Sequence, residues 1–465
     1  MTGYLIIGVL LPWLAGWAMV AALAPASACQ RYGSQLWMAG LGYFLGVVLT
    51  GLLVHLHWWL PALSPGLIAT LLVLLAMTAL WRTRQRDWQP ANPWTPRFSR
   101  PERYLLIAFV SVLAIRLFLL GGEIIDRPTF PWDAWGAWAY KAQALALTGG
   151  EANFLPINQW VRAGGEFDYP LAAHHYPTLV AAHQFWLTHW LGGWQDNWMN
   201  LPWLFALISL TLMLFGLIWQ RTGQPWLGML AAYALVSLPI LNTHAALAGY
   251  MDIWVALSLL ACATCLLLYR EQPGRALLSM GLLVALGSAF IKVESLVWLA
   301  LMVGVTLLLW MPKAARIACC AGGLLFIAYG LSIGIEWQTS SGTVFFFDRE
   351  RILLPYIGEI VLGLAFPWQA VAETLLLSWN WHLLFPALAV GLALGLRRSP
   401  QGHSQQWLLA VSLGAVAAIG FLFFATNASA WAESLTSFNR IILQWVPVWI
   451  LTVAHLNSHD RKHCW

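Results

Sequence analysis

Long apolar runs recur from one end of this chain to the other, and nothing else limits its fold so tightly. Runs near the ~18–20 residues that cross a ~30 Å hydrocarbon core must satisfy every backbone polar group internally, which long single segments do as helices. Hydropathy predicts spans near 4–24, 35–55, 65–81, 104–121, 200–219, 225–243, 250–269, 276–290, 294–311, 317–335, 379–396, 407–425 and 440–457. That is about thirteen helices, with ends good to a few residues. Only 9% of the 465 residues are charged and 60% are hydrophobic, against roughly 25% charged in an average soluble domain. A soluble globular protein is excluded, and the expected class is an all-α polytopic membrane protein.

The loop charges set an orientation. Between Arg82 and Arg103 lie six arginines (Arg82, Arg84, Arg86, Arg97, Arg100, Arg103) against Asp87 and Glu102, which by the positive-inside rule puts this loop in the cytoplasm. Alternation then places Arg221, Arg270 with Arg275, Lys313 with Arg316, Arg397 with Arg398, and Arg461 with Lys462 inside as well, provided that 352–378 does not span. That apolar but interrupted segment, with Glu359, Pro367 and Glu373, is expected to form one or two interfacial helices or a re-entrant pair. The longest loop, 122–199, carries seven acidic residues against Arg127, Lys141 and Arg162 and falls outside. The expected organisation is an N-terminal three-helix extension with its basic loop (1–103), a main module (104–457) containing loop 122–199 and interfacial segment 336–378, and a cytoplasmic tail (458–465). Because no Lys or Arg precedes Arg31, the first helix is expected to be retained rather than cleaved as a signal peptide.

A net charge of +5 spread over short loops implies no nucleic acid. The six cysteines, Cys29, Cys262, Cys265, Cys319, Cys320 and Cys464, show no metal or disulfide spacing and read as helix-packing residues, apart from Cys464 in the tail.

Ionisable groups at a membrane boundary cost free energy unless a cavity, partner or function compensates. Here they gather at the outer face: Asp126, Asp133, Lys141, His174, His175, Asp252, Lys292, Glu294, Asp348, Arg349, Glu350, Arg351 and Arg440. A helix starting near Trp132 would hold Asp133 close to its N-terminus, where a carboxylate serves either as general base or simply as a cap. His174, His175 and Tyr176 open an apolar helix, and read either as interface residues or as sugar or phosphate contacts. Asp252 heads another helix, and Lys292 and Glu294 occupy a turn between two more. Arg440 opens the last helix, where a cation opposes the helix dipole and an anion would relieve the conflict.

Taken in order, these segments resemble the GT-C superfamily of integral-membrane glycosyltransferases, in particular relatives of the lipid A aminoarabinose transferases and protein O-mannosyltransferases (glycosyltransferase family 39-like). The resemblance spans roughly 104–457. It rests on Asp133, on Ala142 through Thr148 and Gly149, on Tyr176-Pro177-Thr178-Leu179, on Tyr250-Met251-Asp252, on Lys292-Val293-Glu294, and on Arg440 leading to Gln444 and Pro447. One departure stands out: relatives often place a second acid beside the first, where this chain has Ala134. Asp126 or Asp252 would then supply the partner carboxylate.

The resemblance implies a polyprenyl-phosphate sugar donor, such as an undecaprenyl phosphate sugar, and a glycan, lipid or protein acceptor of the cell envelope. It implies inverting transfer of a hexosyl or pentosyl group on the periplasmic face of a bacterial inner membrane. Asp133 is the expected base, with Asp126 and Asp252 as the further catalytic candidates. Lys292, Arg440, Arg349 and Arg351 are the expected phosphate ligands, and Lys141, His174, His175, Tyr176, Glu294, Trp135 and Trp138 complete the expected substrate contacts. No metal ligand set is expected, and a divalent cation as cofactor is left open because only some relatives use one. The loop tryptophans Trp132, Trp160, Trp194 and Trp198 suit interfacial anchoring or sugar stacking. The alternative is a flippase or transporter, or an accessory subunit for lipid-linked saccharides, which would carry midplane polar groups and broken helices in repeated halves; the sequence shows neither.

Overall fold

The computed structural model of the chain describes residues 2–85, 99–338, 344–355, 357–397 and 402–458. Arg86, Asp87, Arg97, Arg398, Arg461, Lys462 and Cys464 lie outside the described residues. The chain opens with α1 (Thr2–Leu23), α2 (Ala26–Cys29), α3 (Ser34–Trp59) and α4 (Pro65–Gln85), followed by α5 (Arg100–Asp126). The large loop holds α6 (Ala139–Leu147), β1 (Asn153–Leu155), α7 (Ile157–Ala163), β2 (Asp168–Pro170) and α8 (Leu179–Leu191), with β1 and β2 paired in parallel. Next come α9 (Leu201–Thr222), α10 (Pro225–Ser237), α11 (Pro239–Ala246), α12 (Asp252–Glu271), α13 (Arg275–Ala289), α14 (Val293–Trp310) and α15 (Lys313–Ile333). After an antiparallel sheet, β3 (Ile335–Gln338) to β6 (Gly358–Val361), the chain closes with α16 (Trp368–Ala372), α17 (Leu384–Arg397), α18 (His403–Phe424), α19 (Ser429–Glu433) and α20 (Ser437–Leu456).

This is an all-α polytopic membrane protein with little sheet. Each apolar run expected from hydropathy overlaps a helix, although the run at 379–396 becomes helical only from Leu384. Among the described residues, however, ten helices are long and apolar enough to cross a bilayer, or eleven when α10 and α11 count as one broken span. The helices α13 and α17, at 15 and 14 residues, fall short of a full crossing at 1.5 Å rise per residue. The run expected at 225–243 is not one helix: α10 and α11 meet at a 63° bend. Pro239 supplies the cause, because it has no N–H to continue the ladder.

The core lies where α3, α9, α12 and α20 pack together. The helix α3 also touches α8 and α13, so the N-terminal spans are part of the same bundle. The α1–α3 contact depends on small residues: a Cβ on Gly16 would fall 2.0 Å from the carbonyl oxygen of Gly42, and such close backbone approach substitutes for the missing hydrophobic drive between helices in lipid. At the head of α5, Ser99 and Glu102 form a reciprocal capping box, which fixes where the basic loop ends.

The expectation of helices throughout 352–378 is corrected. Residues 351–354 and 358–361 are strands β5 and β6, and only 368–377 is helical, as α16 and a following π turn. The cause is local. Side-chain Oδ1 of Asp348 accepts from the backbone N–H groups of Glu350 and Arg351, at 2.8 Å each, and closes a turn between two runs of aromatic and branched residues.

Candidate functional site

Four segments far apart in sequence meet at one end of the bundle. Asp252, the first residue of α12, is wholly buried, at 0% exposure. Its Oδ2 accepts from Arg440 Nε at 2.8 Å, and its Oδ1 accepts from Lys292 Nζ at 3.1 Å and from Gln444 Nε2 at 2.7 Å. The Gln444 amide is oriented by Trp298, whose Nε1 donates to its Oε1 at 2.6 Å. Both oxygens of Asp252 are therefore engaged, and it is an anchor for two cations rather than a base open to substrate. That corrects its expected catalytic role.

Asp133 does not cap its helix, since no side-chain cap bond forms there. Instead its Oδ2 accepts from Arg440 Nη2 at 2.5 Å. One guanidinium thus bridges Asp133 and Asp252, across 307 and 188 residues of sequence. The dipole conflict at the head of α20 is met by these carboxylates. Asp133 is 26% exposed and Arg440 24%, so this pair faces the open side of the site. Lys292 Nζ also contacts Glu294 Oε1 at 3.2 Å. Burial opposes the Lys292 charge, but Asp252 and then Glu294 outweigh it and hold its pKa above the usual lysine value. The cluster holds three carboxylates (Asp133, Asp252, Glu294) against two cations (Lys292, Arg440). Glu294 Oε2 is buried with no hydrogen-bond partner among the described residues.

The helix carrying Asp133 begins at Trp132, as expected, and turns as a π helix over Ala134–Trp138 before α6; π turns recur at functional sites. It presses on Gly249, where a Cβ would fall 2.4 Å from Ala134 Cβ and where φ is +130°. The contact explains why no acid stands at position 134: the side chain there is at 0% exposure and has no room to grow.

Tyr250 follows, with its ring 5.0 Å from the Arg440 guanidinium carbon. Burial and then Asp133 raise its phenol pKa. Tyr176 reaches the same place from the large loop, packed on Trp138 at 5.0 Å and on His175 at 4.8 Å. Its pKa is raised by burial first and by Glu294 next. His175 is exposed, and its pKa is lowered by burial and by the neighbouring His174.

Lys141 is not a substrate contact as expected. It is at 0% exposure, and its Nζ donates to the carbonyls of His174 at 3.0 Å and Tyr176 at 2.6 Å. Burial lowers its pKa to about 7. Trp138, 4% exposed, is core beneath Tyr176. Trp135 is exposed, and its Nε1 donates to Thr129 O at 3.1 Å.

Three expected site residues stay apart from the cluster. Asp126 sits exposed at the end of α5. Arg349 pairs with its exposed neighbour Glu350 at 3.8 Å. Arg351 pairs across the sheet with Glu359 at 3.1 Å and lies over the Phe346 ring. The sequence reading missed His244, whose Nε2 lies 3.9 Å from Asp252 Oδ2 and whose ring packs 4.7 Å from Tyr250. A polar residue inside an apolar run was the available signal. No group of three or more metal-binding side chains is found among the described residues.

The chain matches no family model, no curated protein and no solved structure.

Proposed function

We propose that this protein is a membrane glycosyltransferase that moves a sugar from a polyprenyl-phosphate donor to an envelope acceptor at the cluster of Asp133, Asp252, Lys292 and Arg440. The single observation that carries this reading is the bridge of Arg440 between a fully buried carboxylate and a half-exposed one. The buried partner fixes the guanidinium, while the exposed partner is exchangeable. An arriving phosphate oxygen competes with Asp133 for Nη2, as the planar fork of arginine suits phosphate. The displaced Asp133 carboxylate is then in place to take the proton of an acceptor hydroxyl. The acceptor oxygen attacks the anomeric carbon, the bond to the phosphate oxygen breaks, and the departing lipid phosphate keeps the electron pair. Arg440 and Lys292 stabilise that developing charge more than they stabilise the bound donor. In this reading the donor's lipid lies in the bilayer and the site faces the periplasm of a bacterial inner membrane. Asp252 holds the two cations without touching substrate.

The test is transfer from a panel of synthetic polyprenyl-phosphate sugars by the full chain in lipid nanodiscs. Wild type is expected to release polyprenyl phosphate. Asp133→Asn is expected to lose about 10²–10⁴-fold in turnover, and Arg440→Ala at least as much. Full activity of Asp133→Asn would remove the base assignment.

A second reading, a transporter for lipid-linked saccharides, is favoured by the break between α10 and α11, since broken helices mark substrate paths in transporters. It calls for movement of intact donor between leaflets in proteoliposomes without release of polyprenyl phosphate.

A further inference from the structure

The break between α10 and α11 leaves backbone carbonyls without their helical partners inside the membrane, where each unsatisfied group costs several kcal/mol. The Leu235 carbonyl is met by the Leu238 N–H, and those of Ala234, Val236 and Ser237 are met by side chains. Arg116, sixteen residues into the lipid-facing span α5, donates from Nε to Val236 O at 3.2 Å and from Nη2 to Ser237 O at 3.4 Å. Asn242 Nδ2, from α11 itself, donates to Val236 O at 2.9 Å and to Leu238 O at 2.7 Å. Arg116 has no carboxylate within ion-pair distance among the described residues. An unpaired arginine within a span is costly, by ~2.5–3.5 kcal/mol on insertion scales, and such residues are kept where they do something.

What lies downstream of the bend is the site. The redirected α11 packs on α5 and on α12, brings His244 beside Asp252, and leads through Gly249, which is in contact with Ala134, to Tyr250 over Arg440. We propose that Arg116 is a positioning residue: by bridging the open carbonyls of the α10–α11 break from a different span, it fixes the angle at which α11 delivers His244, Tyr250 and Asp252 to the ion-pair cluster. The guanidinium suits this task because its fork engages two successive carbonyls at once, which a lysine ammonium reaches less well. The role is distinct from substrate contact, and its catalytic consequence rests on the glycosyltransferase reading.

The full chain in nanodiscs, as wild type, Arg116→Met, Arg116→Lys and Asn242→Ala, tests this with two readouts. In hydrogen exchange, Arg116→Met is expected to speed exchange over 236–252 while α3 and α9 keep wild-type protection, with Arg116→Lys intermediate; Asn242→Ala is expected to show the same local pattern and serves if Arg116→Met does not fold. Unchanged exchange over 236–252 in these variants, or protection lost equally from α3 and α9, overturns the clamp. In transfer kinetics, kcat is expected to fall about 10–100-fold with KM within about threefold, as for misplacement of a reacting group. Faster local exchange with wild-type kcat overturns the link to the site. If wild type transfers no sugar from any donor, the glycosyltransferase reading is what fails, and the exchange pattern still decides whether Arg116 holds the break.

Discussion

The two ends of α12 each carry an acid, and the protein treats them differently. Over about 30 Å of helix, Asp252 at one end and Glu271 at the other both pair with arginines from other segments. Asp252 is fully buried and takes three charged or polar donors from α20 and the α13–α14 turn. Glu271 has a side chain 28% exposed and meets Arg221 directly and Arg31 at 3.9 Å. The Glu271 end joins the last turns of α9 and α12 through a single carboxylate that is partly open to water, although its Arg221 partner is only 4% exposed. The Asp252 end instead buries charge that a simple helix bundle has no need of, and leaves Oε2 of Glu294 without a hydrogen-bond partner among the described residues. Buried ion pairs are weak evidence for stability because desolvation offsets their attraction. Joining three carboxylates and two cations in one network at the Asp252 end, against a single carboxylate at the other, therefore points to chemistry there.

The largest expected effect tests that contrast directly. Asp252→Asn leaves Lys292 and Arg440 without their shared buried counter-charge, and is expected to cost about 3–5 kcal/mol in reversible unfolding in mixed micelles. Glu271→Gln is expected to cost about 1.5 kcal/mol, as for one charged hydrogen bond. Equal losses at the two ends would erase the distinction.

A finer effect comes from Lys141, which belongs to the site end but has no acid partner among the described residues. Burial lowers its pKa from 10.5 to about 7, so the unfolded chain holds this proton more tightly than the folded one. Stability of wild type relative to Lys141→Met is expected to rise with pH between about 7 and 10.5 and to be flat below that window. A difference independent of pH from 6 to 10 would mean that the ammonium is not shielded as described. The smallest effect is expected in the sheet: Arg351→Ala removes an exposed pair and should change stability by less than about 0.5 kcal/mol, with transfer activity unaltered. A large loss of donor affinity in that variant would bring the sheet into the site after all.

Much of this architecture is legible in the sequence, and the parts that are not have specific causes. Apolar runs locate the helices because backbone satisfaction in lipid leaves so few options, yet they do not show that Pro239 bends one span by 63°. Asp133, Lys292 and Arg440 stand out as costly groups at helix ends. Asp252 looks the same in sequence, but its saturation by Arg440, Lys292 and Gln444 is a fact of three-dimensional packing. Arg349 and Arg351 looked equally suited to phosphate because charge alone does not say where a segment folds. The short branched and aromatic runs Val344–Phe347 and Arg351–Leu354, with Asp348 between them, are a usable strand signal that the surrounding hydropathy obscures. Arg116, a lone cation within the expected span 104–121, is a polar group that the sequence reading passes over, and its carbonyl partners exist only once α10 breaks.

The reach of Arg440 also bears on how the protein is made. Asp252 enters the membrane 188 residues ahead of the guanidinium that pairs with it, which at ordinary synthesis rates is a wait of about 10–40 s. During that interval Lys292 arrives first and is the carboxylate's only cation from this cluster. A ribosome stalled before Ser437 would therefore display α12 with a half-compensated acid at its head.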